Sequence, residues 1–217
     1  MSRTIVVGDI HGCYTELKDL LDKIDATPED RLISVGDLVT KGPASREVLE
    51  FFRDNGNAQA VLGNHEYALL RYYKGEAVDL EPAQSRAIVE LGDAFDDLMD
   101  WVSRFPHYLD LGSHMIVHAG IRPGRTMEEQ SVEDLTELRT LDGPNPGSRI
   151  GTPWFERYEG AKTVIFGHWV FTSPLVRKNA LGIDTGCVYG GRLTAVVLPE
   201  QRLVDIPARQ AYAEKKE

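Results

Sequence analysis

The sequence predicts an α/β fold built around parallel strands, and three observations carry that prediction. Residues 4–7, 32–35 and 58–62 are short apolar runs of the length expected of buried strands. Each is followed by a helical pattern, and strand–helix alternation implies parallel strands joined by right-handed crossovers. The 217 residues suffice for one domain with a sizeable core and are few for two, so residues 1–217 read as a single domain.

Taken in order, the first strand runs into Gly8-Asp9-Ile10-His11-Gly12, where the flanking glycines let the backbone turn sharply. Tyr14, Leu17, Leu20, Leu21 and Ile24 then recur with helical, one-sided spacing. Thr27-Pro28-Glu29-Asp30 is a turn, and the second strand runs into Gly36-Asp37. A helix is expected after Pro43, with Val48, Leu49, Phe51 and Phe52 facing inward and an end at Asn55-Gly56. The third strand runs into Gly63-Asn64-His65-Glu66, and residues 67–73 read as helix. In open α/β sheets ligands bind at the carboxyl ends of the strands. Asp9, His11, Asp37, Asn64 and His65 are all placed there.

Residues 74–103 are acidic and helical in pattern, with Ala94, Phe95, Leu98, Met99, Trp101 and Val102 as one buried stripe, up to Pro106. This is a helical cap, with packing and substrate contact both open as its role. The second half is richer in strands. Residues 108–111 and 115–117 form a hairpin around Gly112-Ser113 and deliver His118. Ser131 and Asp134 resemble a capping box that opens a helix reaching Leu141. Residues 142–152 are a Gly- and Pro-rich loop, and residues 163–166 are a strand ending in Gly167-His168-Trp169. Residues 181–184 and 193–198 complete the strands, and the polar residues 211–217 are expected to fray.

A net charge of −10 argues against broad nucleic-acid or membrane binding through surface charge. It leaves room for a phosphorylated ligand, because bound cations reverse the local potential. No stretch approaches the roughly 20 apolar residues of a membrane span, and the start leads directly into the first strand, leaving no room for a signal peptide. Cys13 and Cys187 make no disulfide framework, so a cytoplasmic protein is expected. Cys13 reads as a small buried apolar group.

Collected together, Asp9, His11, Asp37, Asn64, His118 and His168 supply two carboxylates, one amide and three imidazoles. Each alone has an ordinary explanation as a cap or a hydrogen-bonded structural residue. As a set they suit two divalent metals sharing a carboxylate. Such a pair, about 3.5–4 Å apart, clamps a phosphoryl group and lowers the pKa of a water. His65, next to Asn64, is placed to protonate a departing oxygen. Other signatures fail. Position 69 is Leu, so His65-Glu66 does not open a zincin helix, and Thr40-Lys41-Gly42-Pro43 lacks P-loop spacing.

Gly8 to Gly12, Gly36 to Gly42, Gly63 to Glu66, His118 and His168 together resemble, over nearly the whole chain, the phosphoprotein-phosphatase (PPP) family of metallophosphoesterases. The resemblance implies a sandwich of two β-sheets flanked by helices, in α-β-β-α layers, and a single metallophosphoesterase catalytic domain over residues 1–217. It implies that Asp9, His11 and Asp37 hold one metal and that Asp37, Asn64, His118 and His168 hold the other, with Asp37 bridging. His65 would be the general acid and Arg139 a phosphate ligand. Two divalent ions are implied, with Mn2+ expected and Fe, Zn, Co and Ni compatible with the mixed oxygen and nitrogen donors.

One departure matters. The family's Asp-Arg-Gly is Thr40-Lys41-Gly42 here. Lys41 supplies charge without the bidentate fork of an arginine, and Thr40 brings no negative charge to a protonated His65. The Thr-Lys-Gly-Pro variant, Phe166-Gly167-His168-Trp169 and the run from Asp184 to Thr194 resemble the bacterial diadenosine tetraphosphatases and their shorter relatives. That implies hydrolysis of the P–O–P anhydride of a small dinucleoside polyphosphate. Trp169 and Tyr189 are then candidates to stack on a base, with core packing the alternative for them and for Trp154. Lys41 and Arg139 would contact the phosphates. The alternative activity is a Ser/Thr or dual-specificity phosphatase acting on phosphoproteins.

Overall fold

The computed structural model describes residues 3–215. In chain order the strands are β1 (Thr4–Val7), β2 (Arg31–Ser34), β3 (Ala58–Ala60), β4 (Tyr108–Asp110), β5 (His114–Val117), β6 (Thr163–Phe166), β7 (Leu175–Val176), β8 (Ala180–Gly182), β9 (Arg192–Leu198) and β10 (Arg202–Pro207). The helices are α1 (Tyr14–Ile24), α2 (Ser45–Asp54), α3 (Asn64–Tyr73), α4 (Pro82–Leu91), α5 (Phe95–Val102) and α6 (Val132–Glu137).

The strands form two mixed sheets of five, in the orders β10-β9-β1-β2-β3 and β4-β5-β6-β8-β7. Strands β1, β2 and β3 are parallel, as the alternation with helices predicts. Strands β5, β6 and β8 are parallel in the other sheet. Side-chain alternation builds the layers. Val6, Ile33, Ile116, Ile165, Leu181 and Val196 meet between the two sheets. Ile5 and Val7 face the other way, onto Leu17, Leu20, Val48 and Phe52 of α1 and α2. Met115, Val117, Val164 and Phe166 face outward onto Leu135 of α6 and onto Trp154. The result is the two-sheet sandwich with a helical layer outside each sheet. Among the described residues no helix is long and apolar enough to cross a membrane.

The structure departs from the sequence expectation at several places. Helix α3 starts at Asn64 rather than 67, so Asn64 and His65 occupy its first turn. Helix α6 ends at Glu137, well short of Leu141. Leu138 turns extended because Arg139 N–H and Leu141 N–H donate to Pro146 and Thr152 carbonyls, and Thr140 pairs with Pro153. A short helix has little cooperative reserve against such pairing. Strands β7 and β10 carry no strong periodic signal, so the sequence pattern does not predict them. The expected fraying also fails for residues 211–213, where the Tyr212 and Ala213 N–H groups donate to Val188 O. Ala211 pairs with Tyr189, and the Tyr212 hydroxyl donates to the buried Glu16 carboxylate at 2.7 Å. Glu16 needs those donors, Arg209 N–H included, because an unpaired buried carboxylate is costly. Residues 216 and 217 of that expectation lie outside the described residues.

The start of β1 is tied down by a fork. Arg3 Nε and Nη2 donate to the two Asp30 oxygens at 3.0 and 2.6 Å. Those bonds hold the Asp30 carboxyl down to about 2, from 3.8. A carboxyl that ionises at lower pH when folded adds stability above its unfolded pKa, and loses it as pH falls through the folded one. Asp30→Asn is therefore expected to cost about 1–2 kcal/mol at pH 7 after allowance for the partly exposed Arg3. The difference should close between pH 4 and pH 2. Urea midpoints of wild type and variant across that range measure it.

Candidate active site

The carboxyl ends of β1, β2, β3, β5, β6 and β8 meet at one edge of the sandwich, and the loops leaving them carry the chemistry. Two buried groups form there. His11, Asp37 and His65 are one, and Asp37, His118 and His168 the other; within each, one ligand atom per residue lies within 4.8 Å of the others. Asp37 belongs to both. Asp9 stands beside them, its two oxygens accepting the His168 N–H at 3.2 and 3.0 Å. That approach requires Gly167, where a Cβ would sit 1.9 Å from an Asp9 oxygen. His11, Asp37, Thr40, Lys41 and His168 all have left-handed φ, from 46° to 73°. Backbone of this kind in non-glycine residues clusters at functional sites.

Backbone carbonyls set the histidine tautomers. His118 Nδ1–H donates to Val35 O at 2.9 Å, which leaves the Nε2 lone pair 3.0 Å from Asn64 Oδ1 and 3.5 Å from Asp37 Oδ1. His11 Nδ1–H donates to Val39 O at 2.9 Å and turns Nε2 toward Asp37 Oδ2 at 3.3 Å. His168 Nε2–H donates to Glu137 O at 3.1 Å and leaves Nδ1 3.0 Å from Asn64 Oδ1. Lone pairs facing lone pairs repel unless a cation lies among them, and an imidazole locked through its far nitrogen is the usual support for a metal ligand. The donor set therefore fits divalent metal ions.

Charge follows the same logic. Burial pushes the imidazoles of His11, His118 and His168 below their usual range, which keeps them neutral with a lone pair to offer. Burial acts to raise the Asp37 carboxyl, but the positive charge that His118, His65 and His11 carry once protonated, with that of Lys41, holds it far below the carboxylate range, so Asp37 is ionised while the imidazoles are neutral. Asp9 goes the other way, raised by burial and by the charges of Asp184 and Asp37. Glu66 accepts N–H bonds from Asp37, Val39 and Gly63 at 2.9, 3.0 and 3.2 Å, clamping the β2 loop to the start of α3.

His65 Nδ1 lies 3.0 Å from the hydroxyl of Thr40, the residue that stands in place of the expected Asp. Burial brings the His65 imidazole down to about 4. Lys41 Nζ donates to His11 Nε2 at 3.0 Å and sits 5.5 Å over the Tyr189 ring. Arg139 Nη1 and Nη2 donate to Gly147 O at 2.9 Å and His168 O at 3.1 Å. Asp9, His11, Asp37, Asn64, His65 and His168 line a cavity of about 630 Å³ that Lys41, Arg139 and Tyr189 also border. Trp169 does not border it and packs against Phe155 and Phe171. Trp154 is wholly buried and donates from Nε1 to Ala119 O.

Sequence reasoning gave no role to Asp184. It is 4% exposed, borders the cavity, and among the described residues its side chain accepts only the Gly186 N–H, on Oδ1. Burial raises its carboxyl to about 6. The signal was present, since an apolar strand running into Asp-Thr-Gly repeats the strand-to-site pattern of Asp9 and Asp37.

Residues 2–189 match the family of calcineurin-like phosphoesterases. A relative from Janthinobacterium sp. (strain Marseille), named bis(5'-nucleosyl)-tetraphosphatase, symmetrical, is 32% identical over 268 residues, covering 95% of this chain and 97% of its own. A relative from Halalkalibacterium halodurans, named as the asymmetrical bis(5'-nucleosyl)-tetraphosphatase PrpE, is 31% identical over 97% of this chain and 96% of its own. A solved structure described as a proposed diadenosine tetraphosphatase superposes with a TM-score of 0.84 at 33% identity, covering 95% of this chain and 94% of that one.

Proposed function

The chain belongs to the calcineurin-like phosphoesterase family, and we propose that it hydrolyses the P–O–P anhydride of dinucleoside polyphosphates such as diadenosine tetraphosphate. The observation that carries this reading is the cavity, which continues from the histidine and aspartate cluster past Arg139 and Lys41 to Tyr189. It offers more room than one phosphate monoester fills. The names of the relatives support the same substrate class.

In this reading Asp9, His11 and Asp37 hold one divalent ion, and Asp37, Asn64, His118 and His168 hold the second. When bound, the ions supply a water of lowered pKa and positive charge against the phosphoryl oxygens. The chain's own residues do the rest. Lys41 and Arg139 hold the phosphoryl group, and Tyr189 offers its face to a base. Trp169 stays in its aromatic cluster and is given no contact. As the water oxygen bonds to phosphorus, the bond to the bridging oxygen breaks, and the nucleotide leaves as a phosphate anion. His65 is neutral at pH 7 and donates a hydrogen bond, keeping its proton, from Nε2 to that departing oxygen, while its Nδ1 accepts from the Thr40 hydroxyl; the proton of the attacking water passes to solvent. A phosphate departs far more readily than an alkoxide, so a neutral donor supported by Thr40 suffices where a protein phosphatase needs the stronger acid that an Asp supports. Manganese as the native ion, a cytoplasmic location and one catalytic domain over residues 1–217 complete the proposal.

The test compares manganese-loaded protein on diadenosine tetraphosphate and on a phosphopeptide at matched concentrations. The nucleotide is expected to win in kcat/KM by about two orders of magnitude or more, the span that acid–base catalysis covers. A peptide preference would overturn the reading in favour of a protein phosphatase.

A further inference from the structure

Two arginines border the cavity without a part in the site described above. Arg149 reaches it from the loop after α6, and Arg86 from α4 in the helical cap. Both are exposed, and neither side chain has a hydrogen bond or ion pair among the described residues. Arg149 also lies within electrostatic reach of Arg139. After burial, the Arg149 charge is the main influence that lowers the Arg139 guanidinium. The two are linked through the loop, since Arg139 Nη1 donates to Gly147 O, two residues before Arg149. Glu137 borders the cavity beside Arg139, and that charge pulls its carboxyl down against burial. Arg149 has no such partner among the described residues. Like charges held together at the wall of a cavity are unfavourable until an anion enters.

Lys41, Arg139, Arg149 and Arg86 border the cavity alongside the carboxylates Glu81, Glu137, Asp184 and Glu214, and of these cations Arg149 and Arg86 are not used by the phosphoryl group that reacts. The metal-ligand cluster, Lys41 and Arg139 account for the phosphate that reacts. Guanidinium forks are suited to the anionic oxygens of those beyond it. We propose that Arg149 and Arg86 form a second anion site for the outer phosphates of a polyphosphate chain, and that this site makes the enzyme select polyphosphates over phosphomonoesters. The proposal rests on the dinucleoside-polyphosphate reading for its physiological ligand, while the site itself is testable without it.

The experiment measures inhibition of p-nitrophenyl phosphate hydrolysis by inorganic tripolyphosphate and by orthophosphate, at fixed free manganese. Wild type is expected to prefer tripolyphosphate. Arg149→Ala and Arg86→Ala should each reduce that preference about tenfold, the worth of one charged hydrogen bond. Arg149→Lys should restore part of it, because charge returns without the fork. The same variants should lose about tenfold more kcat/KM on diadenosine tetraphosphate than on the aryl phosphate. Wild type without tripolyphosphate preference, or a double variant that keeps it, would overturn the second site. Wild type that prefers tripolyphosphate yet leaves diadenosine tetraphosphate intact would retain the site and remove the dinucleotide reading instead.

Discussion

Asp37→Asn is expected to lower kcat/KM on diadenosine tetraphosphate on the order of 10³-fold, because metal charge contributes several kcal/mol to such transition states and each 1.36 kcal/mol is a factor of ten. Bound manganese should fall from about two ions per chain to one or none, since a bridging carboxylate serves both positions. The physical case is the position of Asp37 in both ligand groups. One oxygen lies 3.3 Å from His11 Nε2 and the other 3.5 Å from His118 Nε2. Asn keeps the shape and an acceptor for the His65 N–H, which Asp37 Oδ1 accepts at 3.1 Å. The fold should therefore persist, and circular dichroism checks that. Metal content of dialysed protein and steady-state kinetics are the readouts. A variant that keeps both ions and its turnover would show that Asp37 does not bridge.

His65→Asn should lower kcat on the dinucleotide on the order of 10²-fold, at the lower end of the range for removing one hydrogen-bond donor to transition-state charge, with metal content unchanged. The loss should be larger on an alkyl phosphomonoester, whose leaving oxygen depends more on a donor. The distinction matters because His65 has two possible roles in space. Its ring lies at right angles to His11 with centroids 5.0 Å apart, and its nitrogen belongs to the His11–Asp37 group. Loss of metal in the variant would make His65 a ligand. Unchanged metal with slower turnover assigns it to the departing oxygen. Thr40→Val removes the hydroxyl 3.0 Å from Nδ1 and should reproduce part of the same kinetic loss.

Much of this arrangement was legible before the structure. The runs at residues 4–7, 32–35 and 163–166 are short, apolar and followed by Gly, and they form strands with their site residues at the carboxyl ends. Asp184 followed the same rule and could have been read by it. The shortened α6 was not legible, because its end depends on pairing with residues 146–153 rather than on its own pattern. Nor was the ordered stretch at 211–213. Its residues look like a polar tail, and what orders them is Glu16, 196 positions from Tyr212. Trp169 beside His168 suggested a base platform, but sequence adjacency does not say which way a ring turns, and Phe155 and Phe171 take it.

The chain's own pattern determined the elements and the chemical type of each loop, since strand and helix periodicity are short-range properties and Asp, Asn and His at strand ends declare their donor atoms. The tertiary structure alone decided which atoms meet. Asn64 reaches His118 across 54 positions and His168 across 104, while Asp9 reaches the His168 backbone across 159. No local pattern encodes such meetings, because they arise where two sheets pack through Val6, Ile33, Ile116 and Ile165 and bring their strand ends to one edge. The Arg139 bond to Gly147 O ties it to the loop that carries Arg149, α4 brings Arg86 to the same cavity, and burial of the histidines at that edge keeps them neutral with lone pairs turned to the two groups that share Asp37.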